Sequence, residues 1–171
     1  KESPDMIISP SFVAEVSSNH NGDLKRALEF VEVSADCGFS AVKFQLFEVE
    51  KLFSHEALSA FPKLKLRERW QLPRDFIPIL AEKTHSLGMQ FSCTPFDLES
   101  AEFLTPYVDF YKIASYELLW HGLIRVCSEK GIPLVLSSGM ANLDEIDAAV
   151  SLVREEFPRT DLTLLHAVSS Y

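Results

Sequence analysis

The run Asp109-Phe110-Tyr111-Lys112-Ile113-Ala114-Ser115-Tyr116-Glu117 reads as a short strand that ends in a polar cluster. Val108, Phe110 and Lys112 alternate with Asp109, Tyr111 and Ile113, so Lys112 lies on one face at the strand's end. A lysine in that setting costs free energy unless an anion or a hydrogen-bond acceptor receives it. Ser115 and Glu117 follow at once, where the strand runs out into a loop. A cation, a hydroxyl and a carboxylate at the C-terminal end of one strand suit a small-molecule site. A snorkelling lysine beside a polar loop is the alternative. The balance tips toward a site because the other strands of this chain end in the same way.

Working outward from that run, strands are predicted at 11–17, 41–46, 89–94, 133–137 and 162–166, besides 108–113 itself. Helices are predicted at 24–37, 74–87, 98–105, 119–130 and 142–157 from apolar stripes at helical spacing. Asp23 and Asn142 are expected N-caps. Residues 47–73 are long for a connection and have room for a short helix. Strand and helix alternate throughout, in units of roughly 25 to 35 residues, the size of a βα repeat in a parallel sheet.

Two folds fit six strands and five complete helices: an open doubly wound α/β sheet, or a (β/α)8 TIM barrel. No glycine-rich phosphate loop follows the first strand, which weakens the dinucleotide-binding version of the open sheet. Polar residues instead recur at nearly every strand end: Glu15, Lys43 with Gln45, Thr94, Lys112 with Ser115 and Glu117, Ser137, and His166. A barrel with its site at the C-terminal rim accounts for that distribution. A barrel takes eight strands and about 250 residues, so residues 1–171 are expected to be the first six strands of a longer domain.

The chain has 171 residues, 47% hydrophobic and 24% charged, with a net charge of -9. Such an acidic balance argues against a general nucleic-acid binder. It leaves room for an anionic small substrate, since two or three buried lysines make a local positive site. Cys37, Cys93 and Cys127 are widely spaced and odd in number, so no disulfide framework is expected and the cytoplasm is the expected setting. No apolar run reaches membrane-spanning length, and no signal-peptide pattern opens the chain.

Lys43 and Gln45 share a strand face through their spacing of two. Lys43, set between Val42 and Phe44, is a second charge in an apolar strand. With Lys112 expected on a neighbouring strand, the pair points to one anion bound between them. Thr94, Ser115 and Ser137 add hydroxyl donors, and the set suits a phosphate together with a carboxylate. Singly, each Ser or Thr also fits a cap or loop donor. Glu15 and Glu117 are expected to stay ionised, as a base or as a sugar-hydroxyl acceptor, or merely to balance the lysines. The five histidines form no metal-binding spacing. His20 falls in a turn; His55, His85 and His121 fall in a loop or on helix surfaces; His166 is expected as a core residue of a strand. No metal site is expected within the chain. Cys93 and Cys127 are expected in the core.

Six stretches together resemble the sialic acid synthase family, the N-acetylneuraminate synthases and their relatives. They are Ala14–Asp23 (AEVSSNHNGD), Ala41–Gln45 (AVKFQ), Phe91–Asp97 (FSCTPFD), Tyr111–Glu117 (YKIASYE), Leu136–Met140 (LSSGM) and Leu165–Tyr171 (LHAVSSY). They occur in the family's order along the whole chain.

The resemblance implies a (β/α)8 barrel that condenses phosphoenolpyruvate with an open-chain, N-acetylmannosamine-like amino sugar, giving a nine-carbon keto-sugar acid and phosphate. By motif match, Lys43, Thr94, Lys112, Ser115 and Ser137 are expected to hold phosphoenolpyruvate, with Gln45 beside them. Glu15 is expected at the reacting centre, making Glu15 and Lys112 the catalytic candidates, and Glu117 and Tyr171 are expected to face the sugar. The resemblance also implies a divalent metal, Mn2+ or Mg2+, held by histidines of a seventh and an eighth strand. A C-terminal antifreeze-like domain and a homodimer belong to the same expectation. Ala-Glu-Val-Ser and Lys-Ile-Ala-Ser-Tyr-Glu look like the pseudaminic acid branch, so pseudaminic or legionaminic acid is an alternative product. A non-catalytic barrel that binds an anionic sugar is a further alternative.

Overall fold

The chain alternates strands and helices from β1 (Val13–Ser17) and α1 (Leu24–Asp36) onward in the computed structural model, which describes residues 11–169. β2 (Ala41–Leu46) leads into α2 (Val49–Leu52), α3 (His55–Ala60) and a 3-10 stretch, Pro62–Trp70. Then come α4 (Phe76–Ser86), β3 (Gln90–Pro95), α5 (Leu98–Leu104), β4 (Tyr111–Ile113) and a 3-10 turn, Ser115–Glu117. α6 (His121–Glu129), β5 (Leu134–Ser137), α7 (Leu143–Glu156) and β6 (Leu162–Leu165) complete the described chain.

Helix starts follow the expected chemistry. Asp23 accepts from the Arg26 N–H at 3.1 Å, capping α1. Asn142 and Glu145 form a reciprocal capping box at the head of α7, with bonds of 3.0 and 2.8 Å. The 47–73 segment holds more structure than one short helix. Phe47, Val49 and Leu58 make a small core of their own, with Leu52, Phe53, Trp70 and Phe96 packed on it. That burial gives α2, α3 and the 3-10 stretch something to fold against.

The strands form two parallel three-stranded sheets, β1-β2-β3 and β4-β5-β6. A single bridge, Ser92 to Phe110, joins them. Side chains do the rest of the joining. The Asp109 carboxylate accepts from the Phe91 N–H at 2.7 Å and lies 2.8 Å from His85 Nε2, while Ser92 Oγ donates to the Phe110 carbonyl at 2.8 Å. This is why β4 is shorter than the expected 108–113: the Asp109 side chain takes a donor that a continued ladder would use. A closed eight-stranded barrel is not formed among the described residues. They show an α/β fold of two small parallel sheets.

The pairing register sorts side chains by face. Val42 is level with Phe91, Phe44 with Cys93, Tyr111 with Leu134 and Ile113 with Leu136. All eight are buried, in one core with Ala27, Val31, Ile77, Leu80, Leu104, Leu123, Ile124 and Val153 of the helices. The opposite face carries Glu15 level with Lys43 and Ser92, and Gln45 level with Thr94. The apolar face thus binds the helices, and the polar face is left for chemistry. His166 departs from expectation. It lies just beyond β6 and is exposed, because β6 pairs only with β5 among the described residues and nothing there covers its end. No helix among the described residues is long and apolar enough to cross a membrane.

Candidate active site

A cleft of about 980 Å³ opens along the polar face, and Glu15, Lys43, Gln45, Thr94, Lys112, Ser115, Glu117 and Ser137 all line it. Successive pieces of the fold supply them: β1 Glu15, β2 Lys43 and Gln45, β3 Thr94, β4 Lys112, the following turn Ser115 and Glu117, and β5 Ser137. Tyr171 lies outside the described residues.

The two lysines share the cleft but are not on neighbouring strands. Lys43 is on β2 and Lys112 on β4, with β3 between them. Thr94 fills that gap, its Oγ1 3.3 Å from Lys43 Nζ. Lys43 is buried and forms an ion pair with Glu15. Lys112 is half-buried, and its Nζ donates only to the Ile113 carbonyl, at 3.2 Å. Among the described residues Lys112 has no carboxylate within ion-pair distance. Glu117 Oε2 is buried without a hydrogen-bond partner. At the strand ends the cleft therefore holds one neutralised cation, one uncommitted cation and one uncompensated carboxyl.

Residues 30–171 match the profile of the NeuB family. The chain belongs to the NeuB family. It is 36% identical over 166 residues to an uncharacterized protein of Methanocaldococcus jannaschii, covering 95% of this chain and 47% of that protein. It is 32% identical over 173 residues to N,N'-diacetyllegionaminic acid synthase of Legionella pneumophila, covering 93% and 49%. The crystal structure of an N-acetylneuraminic acid synthetase of Leptospira borgpetersenii, solved in complex with citrate, matches with a TM-score of 0.86 and 31% identity, over 95% of this chain and 56% of that one. The chain spans about half the length of the curated relatives it matches.

Burial sets the electrostatics of this NeuB-family cleft. It depresses the Lys112 ammonium to about 8, helped by the positive charge of Lys43 and opposed by Glu15 and Glu117. Glu117 is pushed up to about 7, again by burial, against its own backbone hydrogen bond and the charge of Lys112. Near neutrality Glu117 is therefore only partly ionised, because desolvation outweighs the nearby lysine. Both groups are poised to titrate close to neutrality, as groups in clefts that bind or transform charged ligands commonly are.

A pH dependence follows. Lys112 must keep its proton to hold an anion, so the dissociation constant for an anionic ligand of this cleft is expected to rise above about pH 8, by up to ~10-fold per pH unit. Glu117 acts in the same direction, since it gains negative charge as pH climbs through about 7. Titrating the protein with inorganic phosphate across that range is the check. An affinity indifferent to alkaline pH would remove Lys112 from the anion site.

Other residues on the cleft wall lie outside the candidates named from sequence: Ser17 at the end of β1, Asn19 and Asn21 from the β1–α1 loop, and Phe47, Phe53, Arg67, Trp70 and Phe96. Ser17 and Asn21 hold positive φ, 53° and 51°. The turn is locked by His20, whose Nδ1 accepts from the Gly22 N–H at 2.9 Å. His20 is fully buried, and burial lowers its pKa. The available signal was the length of the 47–73 connection, because long ordered loops tend to serve sites. Cys93 and Cys127 are buried, as expected, and all three cysteines are free. Among the described residues no three His, Cys, Asp or Glu gather to hold a metal.

Proposed function

We propose that this chain forms the phosphoenolpyruvate-binding part of a synthase that joins phosphoenolpyruvate to an open-chain N-acetylated amino sugar. The observation that carries this is the uncommitted Lys112, set with Lys43 and the hydroxyls of Thr94, Ser115 and Ser137 around one cleft. A ligand bearing both a phosphate and a carboxylate is matched by two ammonium groups and three hydroxyl donors. Gln45 lies beside that set. An arriving anion competes with Glu15 for Lys43, which frees the Glu15 carboxylate at the reacting centre.

In the proposed reaction, C3 of phosphoenolpyruvate attacks the sugar aldehyde and the new C–C bond forms. The aldehyde oxygen takes up a proton. Water adds at C2 and gives up a proton, and the C–O bond to phosphate then breaks. The products are a nine-carbon keto-sugar acid and inorganic phosphate. Lys112 holds its proton against the developing negative charge, and Glu117 and Tyr171 are assigned to the sugar. The product is an N-acetylneuraminic-acid-type compound. The Ala-Glu-Val-Ser and Lys-Ile-Ala-Ser-Tyr-Glu motifs favour pseudaminic or legionaminic acid as the second reading.

The described strands carry helices on one face and polar groups on the other, which supports an arc of a (β/α)8 barrel. Two further βα units are proposed to close it, and a divalent metal, Mn2+ or Mg2+, is proposed to take its ligands there. An antifreeze-like C-terminal domain and a homodimer belong to the same proposal. The free thiols suit the cytoplasm.

Release of phosphate from phosphoenolpyruvate, with manganese and N-acetylmannosamine, is the test. The complete protein is expected to turn over at least one N-acetylated hexosamine, and the 171-residue chain alone none. Binding without turnover by the complete protein would favour a non-catalytic sugar-binding barrel. Turnover by the isolated chain would refute the need for further βα units.

A further inference from the structure

β1 does not run into its loop in regular register. Glu15 is level with Lys43, but Ser17, two residues on, is level with Phe44, so Val16 is an extra residue and forms a β-bulge. A bulge re-aims the side chains around it. The side chain beside this one is Glu15, the carboxylate paired with Lys43. The backbone that follows is one few side chains adopt unaided. Ser17 has φ at +53° and Asn21 at +51°, and neither is glycine. Such residues persist where their surroundings over-determine them.

His20 fixes those surroundings. Its Nδ1 accepts from the Gly22 N–H at 2.9 Å, so the ring does what an Asn side chain does when it bonds the backbone two residues on. The neutral ring this requires, with its proton on Nε2, is the form that burial favours. The ring is fully buried and lies 6.3 Å from the ring of Phe44, the residue opposite Ser17. From this anchor the loop closes back on the bulge. Asn19 donates to the Val16 carbonyl twice, from its backbone N–H at 3.1 Å and from Nδ2 at 2.9 Å. Arg26 Nε, on α1, donates to the Asn19 carbonyl at 2.7 Å. His20 is thus joined through Asn19 and Val16 to Glu15, and through Phe44 to the neighbouring Lys43. Packing alone would favour an apolar residue here. Among the described residues the buried His20 Nε2 has no hydrogen-bond partner, a cost in free energy that phenylalanine would not carry. The acceptor at Nδ1 is what the histidine adds.

We infer that His20 is a positioning residue for the proposed reaction, holding the bulge that aims the Glu15 carboxylate into the cleft beside Lys43. The inference rests on the synthase reading above and adds to it the group that sets where Glu15 stands.

The test uses the complete protein and three substitutions. His20→Asn keeps an acceptor at the Nδ1 position and loses the ring. His20→Phe keeps the ring and loses the acceptor. His20→Gln stays polar, but its carbonyl lies one bond too far out to close the turn. Activity is phosphate release from phosphoenolpyruvate with manganese and an N-acetylated hexosamine that the wild type accepts. His20→Phe and His20→Gln are expected to lose about 10- to 100-fold in kcat, the scale of a ~1 Å misplacement at a reacting centre. Their KM for phosphoenolpyruvate is expected to rise no more than about twofold, since Lys43, Lys112 and the hydroxyls stand on other strand ends. His20→Asn is expected to stay within about threefold of wild type in kcat, although the cavity it leaves beside Phe44 makes it melt below His20→Phe. Activity and stability then run in opposite orders, which a histidine serving only the core would not produce. The Gly22 amide gives a readout independent of turnover. Its hydrogen exchange is expected to be at least about 10-fold faster in His20→Phe than in the wild type or His20→Asn. Activity that follows melting temperature across the variants overturns the inference and leaves the synthase reading standing. So does a His20→Phe protein with wild-type kcat or unchanged Gly22 exchange. A wild-type protein that releases no phosphate with any N-acetylated hexosamine overturns both.

Discussion

Replacing Lys43 by methionine in the complete protein is expected to lower kcat/KM for phosphoenolpyruvate by two to three orders of magnitude. Lys43 is buried, paired with Glu15 and 3.3 Å from Thr94 Oγ1. Truncating one member of a desolvated, hydrogen-bonded charge pair costs roughly 2–5 kcal/mol in binding, and each ~1.4 kcal/mol is tenfold. The fold should suffer far less, because the Glu15 side chain is 48% exposed and water can receive its carboxylate. A second readout separates this from general damage. Lys43 helps to depress Lys112, and Glu15, freed of its partner, raises it further. Both changes move the Lys112 titration upward, so the alkaline loss of phosphoenolpyruvate affinity should shift to higher pH in the variant. A variant that binds phosphoenolpyruvate like the wild type, with the same pH profile, would end the assignment of Lys43 to the anion.

The second large effect is expected from Gly139→Ala, which should destabilise the fold by about 2–4 kcal/mol and disable the phosphate-side hydroxyls. Gly139 follows Ser137 and Ser138 at the end of β5 with φ at +50°. An alanine there pays for the left-handed backbone. Its Cβ would also stand 2.6 Å from Ser115 Oγ, closer still to Ser115 Cβ, and 3.2 Å from Ser169 Oγ. Relief by local movement is limited. The Ser138 N–H donates to the Leu165 carbonyl at 3.0 Å, and Ser138 Oγ accepts from the Ala167 N–H at 3.2 Å, tying the end of β5 to the end of β6. Something must move, and Ser115, on its short turn, is the neighbour that lines the cleft. Denaturant melts and the KM for phosphoenolpyruvate are the measurements. Adding Ser115→Gly should recover the part of the stability lost to the clash, but not the part lost to backbone conformation. A Gly139→Ala protein of wild-type stability and affinity would show that the two loops are not in contact.

How much of this was legible beforehand depends on whether a feature is local. β2 falls where its apolar pattern puts it, with Lys43 and Gln45 on one face, because side-chain alternation along a strand is a property of the chain alone. The caps at Asp23 and Asn142 are equally local. The eight described candidate residues meet in one cleft because parallel strands all deliver their C-terminal ends to the same side. β4 starts later than its apolar pattern predicts, since its ladder is interrupted by an aspartate that bonds across to β3, a contact 18 residues away in sequence. Likewise, the 47–73 connection is more structured than its pattern predicts, because its small separate core is assembled from residues as distant as Phe47 and Phe96.

Residue order alone is enough for the βα alternation, the strand faces and the strand-end groups that share the cleft, since each follows from backbone periodicity and chain direction. Tertiary structure alone decided which lysine is paired and which is uncommitted, how far burial moves Lys112 and Glu117 toward neutrality, and where Arg67 stands. Those depend on distances between separate elements and on the water excluded from between them. Neither quantity is encoded in any one stretch of the chain.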